Sequence, residues 1–335
     1  MTGELQRVAT ARRLLAELGV TLADLVAHDN QVGLPTWADY LPQVIAAAGP
    51  GAGRTYGTYW ARMATAWGSR TLLEVAASDI EAMQHAMAGT ARSRRNNRSG
   101  RHAGEHVIAA ARAVYNRAIA DGLIPATASP AHKVAKPRRL PNTRRALAPS
   151  ELIEINTTAR TSGNDTILDA LLLRLHTETA CRRGGALGIR RADLDPDRCL
   201  VRLREKGNTL RWQPLSPALA ACLVEHAAAR GAVLPTDVLL RYRDGRALTS
   251  RRYDHLWNRL GQHLPWVAEH GISTHWLRHT TLTWVERHFG YGIARPYAGH
   301  TDTTGPATTY IKASLQEVAT ALAAMTGQPH PLATP

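Results

Sequence analysis

Apolar residues recur at three- and four-residue spacing through most of this 335-residue chain, so the pattern predicts helices almost throughout. Thr36-Trp37-Ala38-Asp39-Tyr40-Leu41 starts one helix, which Gly49-Pro50-Gly51-Ala52-Gly53 breaks. A second runs from Arg54 to Trp67 with Tyr56, Tyr59, Trp60, Met63 and Trp67 on one face, and a third from a Ser78 cap to about Met87. A long helix, about Ala103 to Asp121, carries Val107, Ala111, Val114, Tyr115 and Ala118 on one stripe. Aromatic residues at this spacing belong in a core rather than on a base-stacking surface. Ahead of them, residues 4 to 28 read as two short helices, broken at Gly19 and restarted by a Thr21 cap. With Leu14, Leu15, Leu18, Leu22 and Leu25 as their apolar positions, they are expected to be a packing arm in preference to a helix-turn-helix reader.

In the second half a helix starts at Ala148-Pro149-Ser150-Glu151-Leu152 with Ser150 as cap, and an apolar run follows at Leu171-Leu172-Leu173-Arg174-Leu175. Cys199 to Arg204 and Leu210 to Leu215 read as the two strands of a hairpin. Helices are expected around Ser216 to Arg230 and Ser250 to Leu264. Beyond them Leu277, Thr281, Trp284, Val285 and His288 fall on one helical face opened by His275 and Arg278, and a short helix runs from about Ala294 to Gly299. A last helix, Ser314 to Met325, has a narrow stripe of Leu315, Val318, Leu322 and Met325. The expected fold class is mainly α with a small antiparallel sheet. The expected division is a helical arm over 1–34, a helical domain over 35–125, a basic linker over 126–148, an α+β domain over 149–326 and a tail over 327–335.

Charge adds a partner to this picture. The formal net charge is +14, the footprint of a chain that meets a polyanion. Arg92, Arg94, Arg95, Arg98 and Arg101 come with no acid before Glu105, and such a cluster repels itself unless phosphates neutralise it. The linker holds Lys133, Lys136, Arg138, Arg139, Arg144 and Arg145 among Pro130, Pro137 and Pro141, which predicts an extended strap along a nucleic-acid backbone. Cys181, Cys199 and Cys222 are odd in number and lack metal-ligand spacing, which suits a reducing cytoplasm. No run approaches the ~18 apolar residues of a membrane span, and no signal peptide opens the chain.

The chemistry concentrates between 271 and 312, where His275, Arg278, His279, His300 and Tyr310 are gathered. A phenol has an ordinary pKa near ~10, so it needs a base before it can act as a nucleophile. Histidine supplies one, and guanidinium forks stabilise charge growing on the oxygens of a phosphodiester. Such a reaction also calls for a second arginine and a proton donor for the leaving oxygen. Arg182-Arg183 offers the first. Lys206, at the tip of the hairpin and one of only four lysines, offers the second.

These residues resemble the phage integrase family, the tyrosine recombinases. The family's Thr-Gly-x-Arg-x-x-Glu-x-Leu is similar to Thr179-Ala180-Cys181-Arg182-Arg183-Gly184-Gly185-Ala186-Leu187. Its His-x-Leu-Arg-His box is His275-Trp276-Leu277-Arg278-His279, and its Leu-Gly-His box is Ala298-Gly299-His300. The resemblance implies catalytic roles for Arg182, Lys206, His275, Arg278, His300 and Tyr310, and a helical DNA-gripping domain before them. Two departures stand out: Gly185 replaces the acidic residue, and ten residues rather than nine separate His300 from Tyr310. In the family a C-terminal helix docks on a neighbouring protomer, which is the preferred reading of 314–325 over packing on its own domain.

The expected function is site-specific cutting and rejoining of double-stranded DNA by a cytoplasmic homotetramer on two sites, without cofactor or metal. Excision or DNA-bending factors are possible partners, and integration of a mobile element is preferred to dimer resolution. Arg182, Arg278 and His300 would hold the phosphate, and His275 would take the tyrosyl proton, the two histidines being exchangeable in that role. Lys206 would protonate the 5′ oxygen. A zinc site on His275 and His279 is disfavoured because Trp276 stands where a general-base glutamate would sit. A DNA-binding relative that has lost catalysis is disfavoured by the complete set of six, and a type IB topoisomerase gives no reason for the last helix.

Overall fold

A computed structural model describes residues 2–21, 33–90, 101–137, 144–204, 210–300 and 314–333, with side chains from residue 6 onward and not at Arg101. Two compact units divide the chain, 1–140 and 141–335.

The first unit is helical: α1 (Thr2–Glu17), α2 (Trp37–Ala47), α3 (Pro50–Trp67), α4 (Ala77–Thr90), α5 (Arg101–Ala120) and the short α6 (Pro130–Lys133). α1 is one helix that stops at Gly19, whose φ of +67° only glycine adopts freely, and it leaves Val8, Leu14 and Leu18 exposed. The residues expected to form a second arm helix lie largely outside the described ones. Gly49-Pro50-Gly51-Ala52-Gly53 starts α3 instead of merely interrupting the chain, because Pro50 at the first helical position loses an N–H that would have no partner there. The aromatics are core: Trp37 meets Trp67 and Tyr115 edge-on at 5.2 and 5.7 Å, and the Tyr115 hydroxyl donates to Leu72 O at 2.8 Å. The segment expected to be an extended strap differs too. Residues 126–134 form a 3₁₀ turn and α6, bury Ala131 and Val134 in this core, and accept hydrogen bonds from Arg112 through Ala131 O (3.0 Å) and Val134 O (2.8 Å). Here too proline opens a helix, at Pro130.

The second unit contains α7 (Pro149–Thr161), α8 (Thr166–Thr179), α9 (Arg183–Leu187), β1 (Leu194–Asp195), β2 (Leu200–Arg204), β3 (Leu210–Pro214), α10 (Pro217–Ala229), α11 (Ser250–His263), α12 (Pro265–Glu269), α13 (Thr274–Phe289), α14 (Tyr291–Tyr297) and α15 (Leu315–Thr326). α7 is capped two residues earlier than Ser150: Pro149 takes the first helical position, and the Glu151 carboxylate accepts from Ala148 N at 2.7 Å. β1, β2 and β3 form one antiparallel sheet in that order, with Val201 opposite Gln213 and Leu203 opposite Arg211. α8 is the central helix, burying Leu168, Leu171, Leu172, Leu173 and Leu175. Beside them Asp169, wholly buried, is matched by Arg252 (2.6 Å) and Arg259, so its charge is paired rather than stranded. Among the described residues no helix is long and apolar enough to cross a membrane.

α15 packs on its own unit. Val318, Ala321 and Leu322 bury against Val285, Ala294, Tyr297 and Ala180, and Ser314 caps the helix reciprocally with Glu317. The expectation that it docks on a neighbour is therefore replaced by packing within the chain. The residues after it follow the same surface: buried His330 approaches Cys199 O at 3.1 Å.

Candidate active site

Two helix ends and one helix start build the site. α8 ends at Ala180, in left-handed backbone at φ +50°, which turns the chain sharply so that Cys181 and Arg182 follow, Arg182 standing at the N-terminal edge of α9 without a side-chain cap bond. α14 ends in a Schellman turn: Gly299, at φ +66°, donates to Pro296 O at 2.9 Å, and His300 N donates to Arg295 O at 3.1 Å. His300 is therefore the residue whose place that turn fixes. α13 starts at Thr274 and brings His275, Arg278 and His279 round its first turns.

Arg278 joins these pieces. It is 4% exposed, and its guanidinium donates to Ala180 O and, through Nη2, to Ala298 O at 2.6 Å. Nη2 also lies 3.4 Å from His300 Nε2; a guanidinium can only donate, so in this contact that nitrogen is the acceptor. Both carbonyls belong to helix C-termini, where the peptide dipoles leave partial negative charge, so the buried cation rests against the negative ends of α8 and α14. The chain lacks the family's acid at Gly185, which is buried within α9, and these two carbonyls are acceptors the sequence does not display.

His275 is exposed on this surface, yet partial desolvation lowers its pKa below the ordinary imidazole range, reinforced by the nearby guanidinium groups of Arg144, Arg278 and Arg182 and by the neighbouring His279. It is thus neutral at pH 7 and able to accept a proton. The same influences place Arg182 and Arg144 within electrostatic reach of it. Leu147, three residues after Arg144, is tied to α13 by its N–H to Thr280 Oγ1 at 2.9 Å. His279 is half-buried with Nδ1 3.4 Å from Thr283 Oγ1, and Cys181 is buried filler.

Of the residues expected to act, Arg182, His275, Arg278 and His300 are thus assembled. Lys206 and Tyr310 lie outside the described residues, as do Arg92, Arg94, Arg95, Arg98, Arg138 and Arg139 and the side chain of Arg101. Lys133 and Lys136 are exposed on the first unit, away from its core. One further contributor carries no mark in the sequence. Arg211 on β3 lays its side chain against Gly299 and donates to Gln213 Oε1 and to Thr179 O at 3.4 Å. Nothing in its strand position announces this, since Gly299 is 88 residues away in sequence. Beneath them Tyr297 is fully buried and donates to Glu178 O, with its pKa raised by burial.

A small antiparallel sheet on a mainly helical unit is the architecture of tyrosine recombinase catalytic domains. The phage integrase family profile matches residues 145–316, about half of the chain, and the chain belongs to that family. No curated protein matches it by sequence. Among solved structures it is similar to lambda integrase in a tetramer bound to a Holliday junction, at 15% identity and TM-score 0.61, over 89% of this chain and 88% of that one. It is also similar to the Tn1549 transposon integrase in complex with circular intermediate DNA (16%, 0.62, 84% and 96%). A third likeness is XerH recombinase on a palindromic difH substrate in a post-cleavage complex (14%, 0.52, 78% and 73%).

Proposed function

We propose that this protein is a site-specific DNA recombinase that cuts and rejoins duplex DNA through a 3′-phosphotyrosine. The observation that carries the reading is the buried Arg278, fixed between two helix ends and touching His300, with Arg182 and a neutral His275 beside it. Guanidinium groups held in advance suit a phosphorus centre whose non-bridging oxygens gain charge in the transition state. The Tyr310 oxygen attacks the phosphorus and its proton passes to His275. The bond from phosphorus to the 5′ oxygen breaks, and Lys206 protonates that oxygen. The new phosphotyrosyl ester keeps the bond energy, so a second 5′ hydroxyl attacking it rejoins the strand and frees the tyrosine. No nucleotide or metal is required to balance these steps.

The substrate in this proposal is double-stranded DNA, to which a net charge of +14 is suited. The assembly is a homotetramer on two sites in the bacterial cytoplasm, with excision or bending factors as partners. The biological role proposed is integration and excision of a mobile element, supported by the departures at Ala180, Gly185 and Ala298 from the family's boxes. The test is trapping on a nicked suicide substrate followed by a denaturing gel. The native chain gives a covalent band and Tyr310→Phe gives none while still binding DNA. A band that survives in Tyr310→Phe places the nucleophile elsewhere.

A further inference from the structure

One buried side chain close to Arg182 takes no part in the proposed reaction. His176 lies six residues earlier on α8 and is buried at 1% exposure. Its own carbonyl accepts from Ala180 N at 3.0 Å, while its ring reaches forward, Nδ1 lying 3.0 Å from Cys181 O and 3.4 Å from Cys181 Sγ. A carbonyl oxygen only accepts, so Nδ1 carries the hydrogen. Nε2 is then an acceptor, and the Tyr253 hydroxyl, 2.9 Å away on α11 and itself buried, donates to it. Burial lowers the pKa of His176 to about 4, so the ring keeps this neutral form at physiological pH.

The peptide unit is planar, so holding Cys181 O also holds the N–H and Cα of Arg182, while the Arg182 carbonyl, accepting from Ala186 N at 3.0 Å, limits rotation on the other side of that Cα. The need for a hold is visible one residue earlier. Ala180 sits at φ +50°, a conformation that a residue bearing a Cβ rarely adopts and that persists only where its surroundings over-determine it. His176 grips both sides of that residue, through its main-chain carbonyl and through its ring.

We infer that His176, clamped by Tyr253, is a positioning residue for strand cleavage: it fixes the Cys181–Arg182 peptide and with it the aim of the Arg182 guanidinium at the scissile phosphate. The inference rests on the recombinase reading, and covalent trapping by the native chain tests that reading separately. If the native chain forms no adduct, the function falls; if it does, the variants below decide the role of His176.

The experiment compares single-turnover cleavage by His176→Leu, His176→Asn and Tyr253→Phe in the full chain, alongside DNA affinity and melting temperature. Asparagine places an N–H donor where Nδ1 stood, and leucine places none. Misplacing a catalytic group by about an ångström can cost roughly a hundredfold in rate. His176→Leu is therefore expected to slow cleavage at least about tenfold with affinity within about twofold, and His176→Asn to recover most of that loss. On a substrate whose scissile phosphate is a methylphosphonate, uncharged and with one non-bridging oxygen in place of two, less charge is left for Arg182 to stabilise and the penalty should shrink. An equal penalty on both substrates, or no recovery with asparagine, makes His176 a packing residue and overturns the inference. Tyr253→Phe removes one hydroxyl and keeps the ring, so it carries the same substrate comparison should His176→Leu not fold.

Discussion

Gly299→Ala is the sharpest test of how His300 is placed. The substitution acts twice. At φ +66° a residue with a Cβ costs about 1–2 kcal/mol more than glycine. The added Cβ would also stand 2.4 Å from Arg211 Nε and 2.7 Å from its Cδ, distances no carbon tolerates, so the Arg211 side chain must leave. Leaving forfeits its hydrogen bonds to Gln213 Oε1 and Thr179 O, together about 1–2 kcal/mol net. The sum is roughly 2–4 kcal/mol, or about 5–15 °C in the melting temperature of a unit this size. Thermal unfolding of Gly299→Ala, Arg211→Ala and the double variant separates the two causes. If the clash is real, the double variant is more stable than the sum of the single losses predicts, and what remains is the backbone strain. Cleavage should drop further than stability alone accounts for, because His300 follows the turn. A Gly299→Ala protein within about 0.5 kcal/mol of the native one would refute the argument.

Acid should weaken the fold well above the carboxylate range. Burial lowers both His176 and His226 to about 4, so between roughly pH 6.5 and 4 the unfolded chain binds more protons than the folded one. Their contribution, roughly 3 kcal/mol for His176, is complete above pH 6.5 and lost as the pH falls to about 4; a melting temperature flat from pH 7 to 5 would contradict this. Gly185→Glu is expected to lower the melting temperature without speeding cleavage, since the glycine is buried and Arg278 already has carbonyl acceptors; a faster and equally stable enzyme would show that an acid was missing. Neutralising Arg94, Arg95, Arg138 and Arg139 together should weaken binding to every duplex alike and flatten its salt dependence. A loss confined to one sequence would make them base readers.

The helices were legible because each buries one face. Trp60, Met63 and Trp67 of α3, or Val107, Ala111 and Val114 of α5, carry their fold in their spacing. The arginine and histidine cluster was legible because reaction chemistry restricts residue type. Proline is ambiguous at two places, since Pro50 and Pro130 look the same in sequence whether they break a helix or open one. The narrow stripe of α15 cannot say which surface it covers; that depended on the complementary hollow formed by Val285, Ala294 and Tyr297. Least visible were contacts made by backbone. An alanine at 180 gives no hint of a left-handed turn, and neither Ala180 nor Ala298 advertises a carbonyl that will receive a guanidinium.

The hold on Arg278 by those two carbonyls has a consequence for how the protein behaves in acid. A carboxylate releases its arginine once protonated, whereas an amide dipole does not titrate in any accessible range. These anchors for Arg278 thus stay engaged at pH values where an acidic counter-ion would have let go. In the proposed scheme the falling limb of activity on the acid side belongs to His275, whose protonation would remove the base and add positive charge beside Arg278. On the proposed reading, the hold on the arginine and the acceptance of the proton are separately tunable parts, one set by helix geometry and blind to pH, the other open to solvent and governed by it.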